Sequence, residues 1–539
     1  MYDLLIQNGL VIDGTGKQAF PADVAVCGDR IAKIAPKIEA EAKKVYDAKG
    51  KYVIPGLIDP HVHEEWICMI DGRYPFFLKE GVTTVVNGNC GHSIIPGDVN
   101  HIMDYYLGNG LLSLKQWEEY KKTFPRWHDF ESYAQAAEEK GTNLNFVTLM
   151  GHGTIRWSVM NGAHQRKPTK EEHEQIESIV RNGMEQGMFG ISFGLDYVPS
   201  RYADMEEICD VVNMVKEYDG VSAAHQRNYI GIYEATQEFL EVGRRTGARI
   251  QISHLASDTP EAFEAARKAH DEEGVQVHID TIPESTGHCI SKSRILLFIM
   301  ALSDELFSQG VEGVKKALAD PEGRAMITRE CYIFAGDKGS KYVVHSDDPH
   351  LENRSVLDIA RERGVDPDEC MLDLIADENN YVFWLNAPAA HVPSKFIEHC
   401  PSIVENPYVS VGSDEIFGDP ADPFDWYEVR RRGSFIIFAN QYLKKGVPYE
   451  EIVRRNTSMV ADHFGIEKRG RLQEGNFADI AVIDLEHYYY PEVSQEQYKT
   501  PDLTGEGCEF LVVNGQVELE DGQVLRTYGG RVLRKNRQI

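Results

Sequence analysis

A chain of 539 residues, 42% hydrophobic and 26% charged, has the composition of an ordinary globular protein and is too long for one simple core. Its formal charge of -29 leaves no basic surplus to neutralise phosphates, which argues against nucleic acid as the main partner and says little about a small substrate. No stretch is long enough for an uninterrupted membrane span, "SRILLFIMAL" at 293–302 included, and no membrane association is expected. Nine cysteines, odd in number and without paired spacing, fit a reducing compartment, so a cytoplasmic protein is expected.

Taken in chain order, the first elements are short strands, "DLLIQNGLVID" and "DVAVCGDRIAKIAP", separated by Gly-rich turns. The C-terminal end returns to the same texture in "GRLQEGNFADIAVIDL" and "CEFLVVNGQVELEDGQVL". One small β domain, a β-sandwich built from residues 1–55 and 465–539, is the simplest joint reading. Between these ends, short apolar strands alternate with charged amphipathic helices such as "TKEEHEQIESIVRNGMEQ" and "MEEICDVVNMVKEY". The strand candidates are "YVIPGLIDPH", "TTVVNGN", "LNFVTLMGH", "GMFGISFGL", "GVSAAHQ", "ARIQISHLA", "GVQVHIDTI" and "YVSVGSDEI". Eight strands alternating with helices predict an α/β fold of the (β/α)8 TIM-like barrel kind over residues 56–464. A mostly helical stretch, about 291–377, interrupts the repeat and reads as an insertion on a loop near the active-site face.

Polar residues stand at the carboxyl ends of these strands, where a parallel barrel gathers its functional side chains at one mouth. His61 and His63 follow the first strand, Cys90 the second, His225 the fifth, His254 the sixth and Asp414 the eighth. Each has an ordinary alternative: Cys90 as a small apolar filler, the histidines as hydrogen-bonded strand ends, Asp414 as a cap. Those alternatives would all have to hold together at one end of one barrel. Zinc takes imidazole and thiolate, and a catalytic zinc keeps a position open, so Cys90, His225 and His254 are the expected Zn2+ site, with His61 and His63 a second, partial one. Asp414 is then placed to exchange a proton with water and with a leaving nitrogen.

The motifs "PGLIDPHVH", "GVTTVVNGNCG", "MGHGTIR", "GISFGLDYVPSRYA", "AAHQRN", "ISHLAS", "VGSDEIFG" and "GRLQEGNFADIAVID" resemble the amidohydrolase superfamily, and within it the N-acyl-D-amino-acid deacylases, or D-aminoacylases. The resemblance runs from the first strands to about Leu485. It implies a tightly bound zinc on Cys90, His225 and His254, a weak or partly occupied second site at His61 and His63, and Asp414 as catalytic acid and base. It also implies Arg430, three residues before Gly433 in "YEVRRRGSF", as the partner of a substrate carboxylate, although Arg431 and Arg432 flank it and a shift of register would reassign the role.

The sequence departs from the family where the pocket is lined. His254 is followed by "LAS" rather than a basic residue, "DTIPE" puts Ile282 and Glu284 where the family has tyrosines, and "HQRNY" puts Tyr229 where it has an acid. Glu284 and Tyr229 are therefore candidate substrate contacts, Glu284 being equally able to cap a turn. His152 and Arg156 of "GHGTIR" read as structure as readily as substrate contacts, and His278 reads as a core or hydrogen-bonding histidine. The activity the resemblance implies is zinc-dependent hydrolysis of the amide bond of an N-acyl-D-amino acid, or a related N-acyl compound, to a carboxylate and a free amine. A cyclic-amide hydrolase of the hydantoinase or dihydroorotase type, or a barrel that has lost catalysis, are the competing readings. Oligomeric state is left open, a homo-oligomer being one arrangement the sequence allows.

Overall fold

A computed structural model of the chain describes residues 1–94, 99–112, 114–162, 164–255, 259–283, 287–290, 298, 302–331, 334, 338–377, 380–385, 401–416, 432–491 and 503–535. At its centre are eight parallel strands: β1 (Leu57–Asp59), β2 (Val82–Asn87), β3 (Asn145–Gly151), β4 (Gly190–Gly194), β5 (Val221–His225), β6 (Arg249–Ile252), β7 (Val277–Thr281) and β8 (Val409–Val411). They pair in sequence order, each with the next. The ring closes through the short segments just beyond β1 and β8. Asp414 donates its backbone N–H to the His61 carbonyl at 2.8 Å, and Val62–His63 pairs in parallel with Glu415–Ile416. This is the expected (β/α)8 barrel, and each of the eight predicted strand segments supplies one of its strands.

Nearly every residue of these strands is buried, because helices cover the outside while side chains fill the inside, and their apolar runs match that environment. The helices carry their own start and stop signals. Lys170–Gln186 begins with a capping box, in which Glu172 N–H donates to Thr169 Oγ1 at 3.3 Å and Thr169 N–H to Glu172 Oε2 at 2.7 Å. Met205–Glu217 begins with Asp204 accepting from the Glu207 N–H at 3.0 Å. No helix among the described residues is long and apolar enough to cross a membrane.

The two ends of the chain form one nine-stranded mixed sheet. Tyr2–Val11, Phe20–Cys27, Arg30–Ala35, Ala42–Asp47 and Tyr52–Pro55 join Ile480–Ile483, Cys508–Val513, Gln516–Glu520 and Gln523–Val524, with Tyr52–Pro55 antiparallel to Ile480–Ile483 at the seam. The sheet curls back on itself: Ile31 N–H donates to the Asn476 carbonyl at 2.9 Å and Gly475 N–H to the Ile31 carbonyl at 2.8 Å. Val24, Val53, Ile480, Val482, Phe510 and Val512 fill the core so enclosed.

Two features differ from the sequence expectation. The apolar run "YVIPGLIDPH" reads as one strand, but it divides at Gly56, with Tyr52–Pro55 in the terminal sheet and Leu57–Asp59 in the barrel. A continuous apolar pattern cannot show such a break. The insertion after β7 also holds more than helices. Besides Val311–Ala319, Pro321–Glu330, Val356–Arg363 and Pro367–Ala376, it forms a four-stranded antiparallel sheet from Gly287–Ile290, Asn380–Leu385, Lys341–Ser346 and Arg354–Ser355. Gly287–Ile290 and Lys341–Ser346 pair with Asn380–Leu385 across long sequence separations, and local periodicity registers only the helices between them. The insertion meets the barrel on the segment after β4, where Phe307 lies 4.3 Å from the Arg201 guanidinium and against the Tyr202 ring.

Gly56 is where the two sheets part, and a Cβ there would lie 2.1 Å from Oγ1 and 2.7 Å from Cβ of the buried Thr83. Gly56→Ala should therefore cost about 1–3 kcal/mol through overpacking. Urea unfolding of the two proteins side by side reads this directly, and an unchanged midpoint would show that the seam opens without strain.

Candidate metal centre

Three residues at the barrel mouth hold a left-handed backbone that non-glycine residues adopt at a cost: Cys90 with φ 52°, His254 with φ 35° and Asp414 with φ 52°. Each is fixed by its surroundings. Around Cys90 the strands approach so closely that a Cβ on Gly194 would fall 2.1 Å from the Cys90 carbonyl, and one on Gly91 would fall 2.7 Å from the Gly194 nitrogen. Ser192 Oγ bonds both sides of the turn, accepting from the Gly91 N–H at 2.9 Å and donating to the Gly88 carbonyl at 2.5 Å. The N–H of His254 donates to Asp280 Oδ1 at 2.9 Å, and that of Asp414 to the His61 carbonyl.

These turns aim the side chains at one another. Cys90 Sγ lies 3.3 Å from His61 Nε2 and 3.4 Å from His254 Nε2. Cys90, His225 and His254 form one donor set, and His61, His63 and Cys90 form another, the donor atoms of each lying within 4.8 Å of one another. Asp414 Oδ1 faces the second set, 3.2 Å from His63 Nε2 and 3.5 Å from His61 Nε2. Sulfur and imidazole nitrogen at this spacing, buried together, are the donors zinc takes. The two sets share the cysteine.

The electrostatics of the cluster favour the thiolate form of its cysteine. Burial by itself would raise the Cys90 thiol, but the imidazoles of His61 and His254 hold it well below the usual thiol range. Burial likewise works against charge on His63 and His225, yet each is raised to about 9, His63 by Asp414 and Cys90, His225 by Asp196 and Cys90. In this cage the thiolate is the preferred state of the cysteine, as a metal ligand requires.

A further layer of side chains orients the donors. Asp280, fully buried at the end of β7, lies 3.1 Å from His61 Nδ1, without the alignment of a full hydrogen bond, and accepts from the His254 N–H and from Gln251 Nε2. His225 is held on both ring nitrogens, with Asp196 Oδ2 3.1 Å from Nε2 and Tyr197 Oη 3.1 Å from Nδ1. Asp59 accepts from the N–H groups of His61 and Ser413, and burial nevertheless pushes its carboxyl up to about 7. His92 lies between the rings of His63 and Tyr197 with Nδ1 2.6 Å from Tyr105 Oη, and burial pushes it down to about 3, which keeps it neutral. Sequence reasoning singled out none of Asp280, Asp196, Asp59, Gln251 or Tyr197. Asp196, Tyr197 and Asp280 stand inside the quoted motifs "GISFGLDYVPSRYA" and "DTIPE", which were the available signal.

The motif "GHGTIR" has a structural task here. His152 and Arg156 are fully buried, with His152 Nδ1 2.9 Å from Ser200 Oγ and Nε2 3.3 Å from Glu207 Oε1. Arg156 donates to Glu207 Oε1 at 2.9 Å and to the Pro199 carbonyl at 3.1 Å. This knot ties down the segment that carries Asp196 and Tyr197 to His225. Among the substrate candidates, Arg430 and Glu284 lie outside the described residues. Tyr229 is not gathered into the centre: it sits on a one-turn helix, Asn228–Ile230, half exposed, its hydroxyl 3.3 Å from Arg227 and its ring under Arg201. Arg432, adjacent to the predicted arginine, stacks on Phe76 and reaches Glu415 at 3.4 Å.

With the barrel and this centre in view, the chain can be placed among known proteins. Residues 44–367 match the model of the Amidohydrolase family, and the chain belongs to that family and is a metal-dependent amide hydrolase. Along its whole length it is similar to D-aminoacylases and related deacylases. It is 28% identical to a D-aminoacylase of Alcaligenes xylosoxydans xylosoxydans, covering 99% of this chain and 97% of that one. It is 27% identical to an N-acyl-D-glutamate deacylase of the same organism, covering 100% and 97%. A crystal structure of N-acyl-D-glutamate deacylase from Bordetella bronchiseptica, complexed with zinc and a phosphonate inhibitor that mimics the tetrahedral intermediate, superimposes with a TM-score of 0.74 at 25% identity, covering 99% of each chain.

Since Asp280 anchors both His61 and the His254 backbone, Asp280→Asn should weaken metal binding by about 10–100-fold. Competition against a chromophoric chelator measures the affinity, and an unchanged constant would remove Asp280 from the centre.

Proposed function

We propose that this chain is a zinc-dependent deacylase of N-acyl-D-amino acids, or of a closely related N-acyl compound, releasing a carboxylate and a free amine. The observation that carries the reading is the place of Cys90, common to both donor sets. In an enzyme of the hydantoinase type, the bridging ligand is expected to be a carboxylated lysine on the fourth strand. Here β4 reads Gly-Ile-Ser-Phe-Gly and has no lysine to offer. The intact donor set, with Asp414 beside it, speaks against a barrel that has lost catalysis.

Cys90, His225 and His254 would hold the tight zinc, and His61 and His63, with the shared cysteine, a weaker second site. Bound zinc supplies Lewis-acid polarisation of a carbonyl and of the attacking water. Asp414 does the proton work. Its Oδ1 takes a proton from the water as the oxygen adds to the amide carbon, then delivers it to the nitrogen as the C–N bond breaks. Asp414, on a left-handed backbone, presents that oxygen 3.2 Å from His63 Nε2 and 3.5 Å from His61 Nε2. Arg430 is the proposed partner of the substrate carboxylate, with Glu284 and Tyr229 as candidate contacts with the remainder of the substrate. The departures at "DTIPE" and "HQRNY" favour a substrate other than a standard N-acetyl-D-amino acid.

Asp414→Asn should keep its tight zinc, read by elemental analysis, and lose about 10²–10⁴-fold in kcat. Full turnover in this variant would exclude Asp414 as the proton carrier. A panel of N-acyl amino acids, varied in acyl length, side chain and configuration and run beside cyclic ureides, tests the substrate class. Turnover of D-configured linear amides is expected, and hydrolysis confined to the cyclic compounds would overturn the reading.

A further inference from the structure

Beneath the candidate centre a line of buried polar side chains crosses the barrel interior from β7 to the first strand: His278, Gln251, Asp280 and His61. Its hydrogen bonds determine one another. Gln251 Nε2 donates to the Pro60 carbonyl at 3.3 Å and to Asp280 Oδ2 at 2.7 Å, which uses both amide hydrogens. Gln251 Oε1 is left as an acceptor, and His278 Nδ1 stands 3.2 Å from it. Burial pushes His278 down to about 4, so the ring is neutral and carries one hydrogen, and Gln251 requires that hydrogen on Nδ1.

The constraint passes upward. The Asp280 carboxylate has only lone pairs to offer, two of them already engaged by Gln251 and by the His254 N–H. His61 Nδ1, 3.1 Å away, is therefore the nitrogen that keeps its hydrogen. His61 Nε2 is left facing Cys90 Sγ and Asp414 Oδ1. Gly412 makes the contact possible, since a Cβ there would lie 2.6 Å from Asp280 Oδ1 and 2.8 Å from the His61 Cβ.

We propose that His278 and Gln251 are positioning residues that act through Asp280 to fix the ring orientation and tautomer of His61, and thereby build the second metal site of His61, His63 and Cys90. This rests on the reading of those three residues as metal donors and is independent of the substrate assignment.

The test is a zinc titration, by calorimetry, of protein already carrying one zinc per chain. It compares wild type with His278→Leu, Gln251→Leu and His278→Asn, the last because its amide nitrogen can stand where Nδ1 does. Both leucine variants should bind the second zinc about 10–100-fold more weakly while keeping the tight one, and His278→Asn should stay near wild type. Histidine ring 15N resonances of the one-zinc protein should show His61 protonated on Nδ1 in wild type and His278→Asn, and altered in the leucine variants. Second-zinc affinities within twofold of wild type in the leucine variants would overturn the proposal. So would loss of both zincs together, equal weakening in His278→Asn, or a wild type that takes no second zinc. Inactivity toward N-acyl-D-amino acids would leave the metal result standing, so the two readings fail separately.

Discussion

Asp280 brings a carboxylate into a fully buried position at the end of β7, within 2.7 Å of Gln251 Nε2, 2.9 Å of the His254 N–H and 3.1 Å of His61 Nδ1. An ion so placed would cost several kcal/mol without partners, and the geometry of the barrel mouth is arranged around supplying them. The left-handed turn at His254 exists because its N–H is drawn to this carboxylate. The ring of His61 is turned by the same oxygen. Two histidines from strands on opposite sides of β7 are thus set by one side chain, and Cys90 meets both imidazoles only because they are set that way.

The opposite wall is anchored independently. His225 takes its orientation from Asp196 and Tyr197, which lie beyond β4 on a segment held by the His152, Arg156, Ser200 and Glu207 knot. A buried arginine whose carboxylate partner is lost is strongly destabilising, so the knot is a stiff support. The insertion packs on the same segment through Phe307.

Much of this was legible in the sequence, for a reason of position. His61, His63, Cys90, His225, His254 and Asp414 stand where an apolar run ends, so a polar or sulfur side chain there interrupts a pattern and is noticed. Asp280 and Gln251 lie within their strands, in "VHIDT" and "RIQI", where alternation absorbs a polar residue as an ordinary inward or outward position. Their importance comes from neighbours 26 or more places away in sequence, which periodicity cannot register. The break at Gly56 was hidden because both halves of the run are apolar, each for a different core. The insertion's sheet was hidden because Asn380–Leu385 finds its partners far back in the sequence, across the intervening helices.

Sharing Cys90 between two donor sets has a consequence for Asp414. Its Oδ1 faces His63 Nε2 at 3.2 Å and His61 Nε2 at 3.5 Å, the imidazoles of the proposed weaker set. In the proposed mechanism, the lone pairs that accept a proton during hydrolysis are the same ones a cation between His61 and His63 would draw upon. Asp414 can act as a base only while those lone pairs are available, so the strength of the His61 and His63 site and the basicity of Asp414 are opposed by geometry. Closing the barrel through the Asp414 N–H and the His61 carbonyl makes that opposition unavoidable, because the same backbone bond that seals β8 to the first strand also fixes how far the carboxylate stands from the two imidazoles.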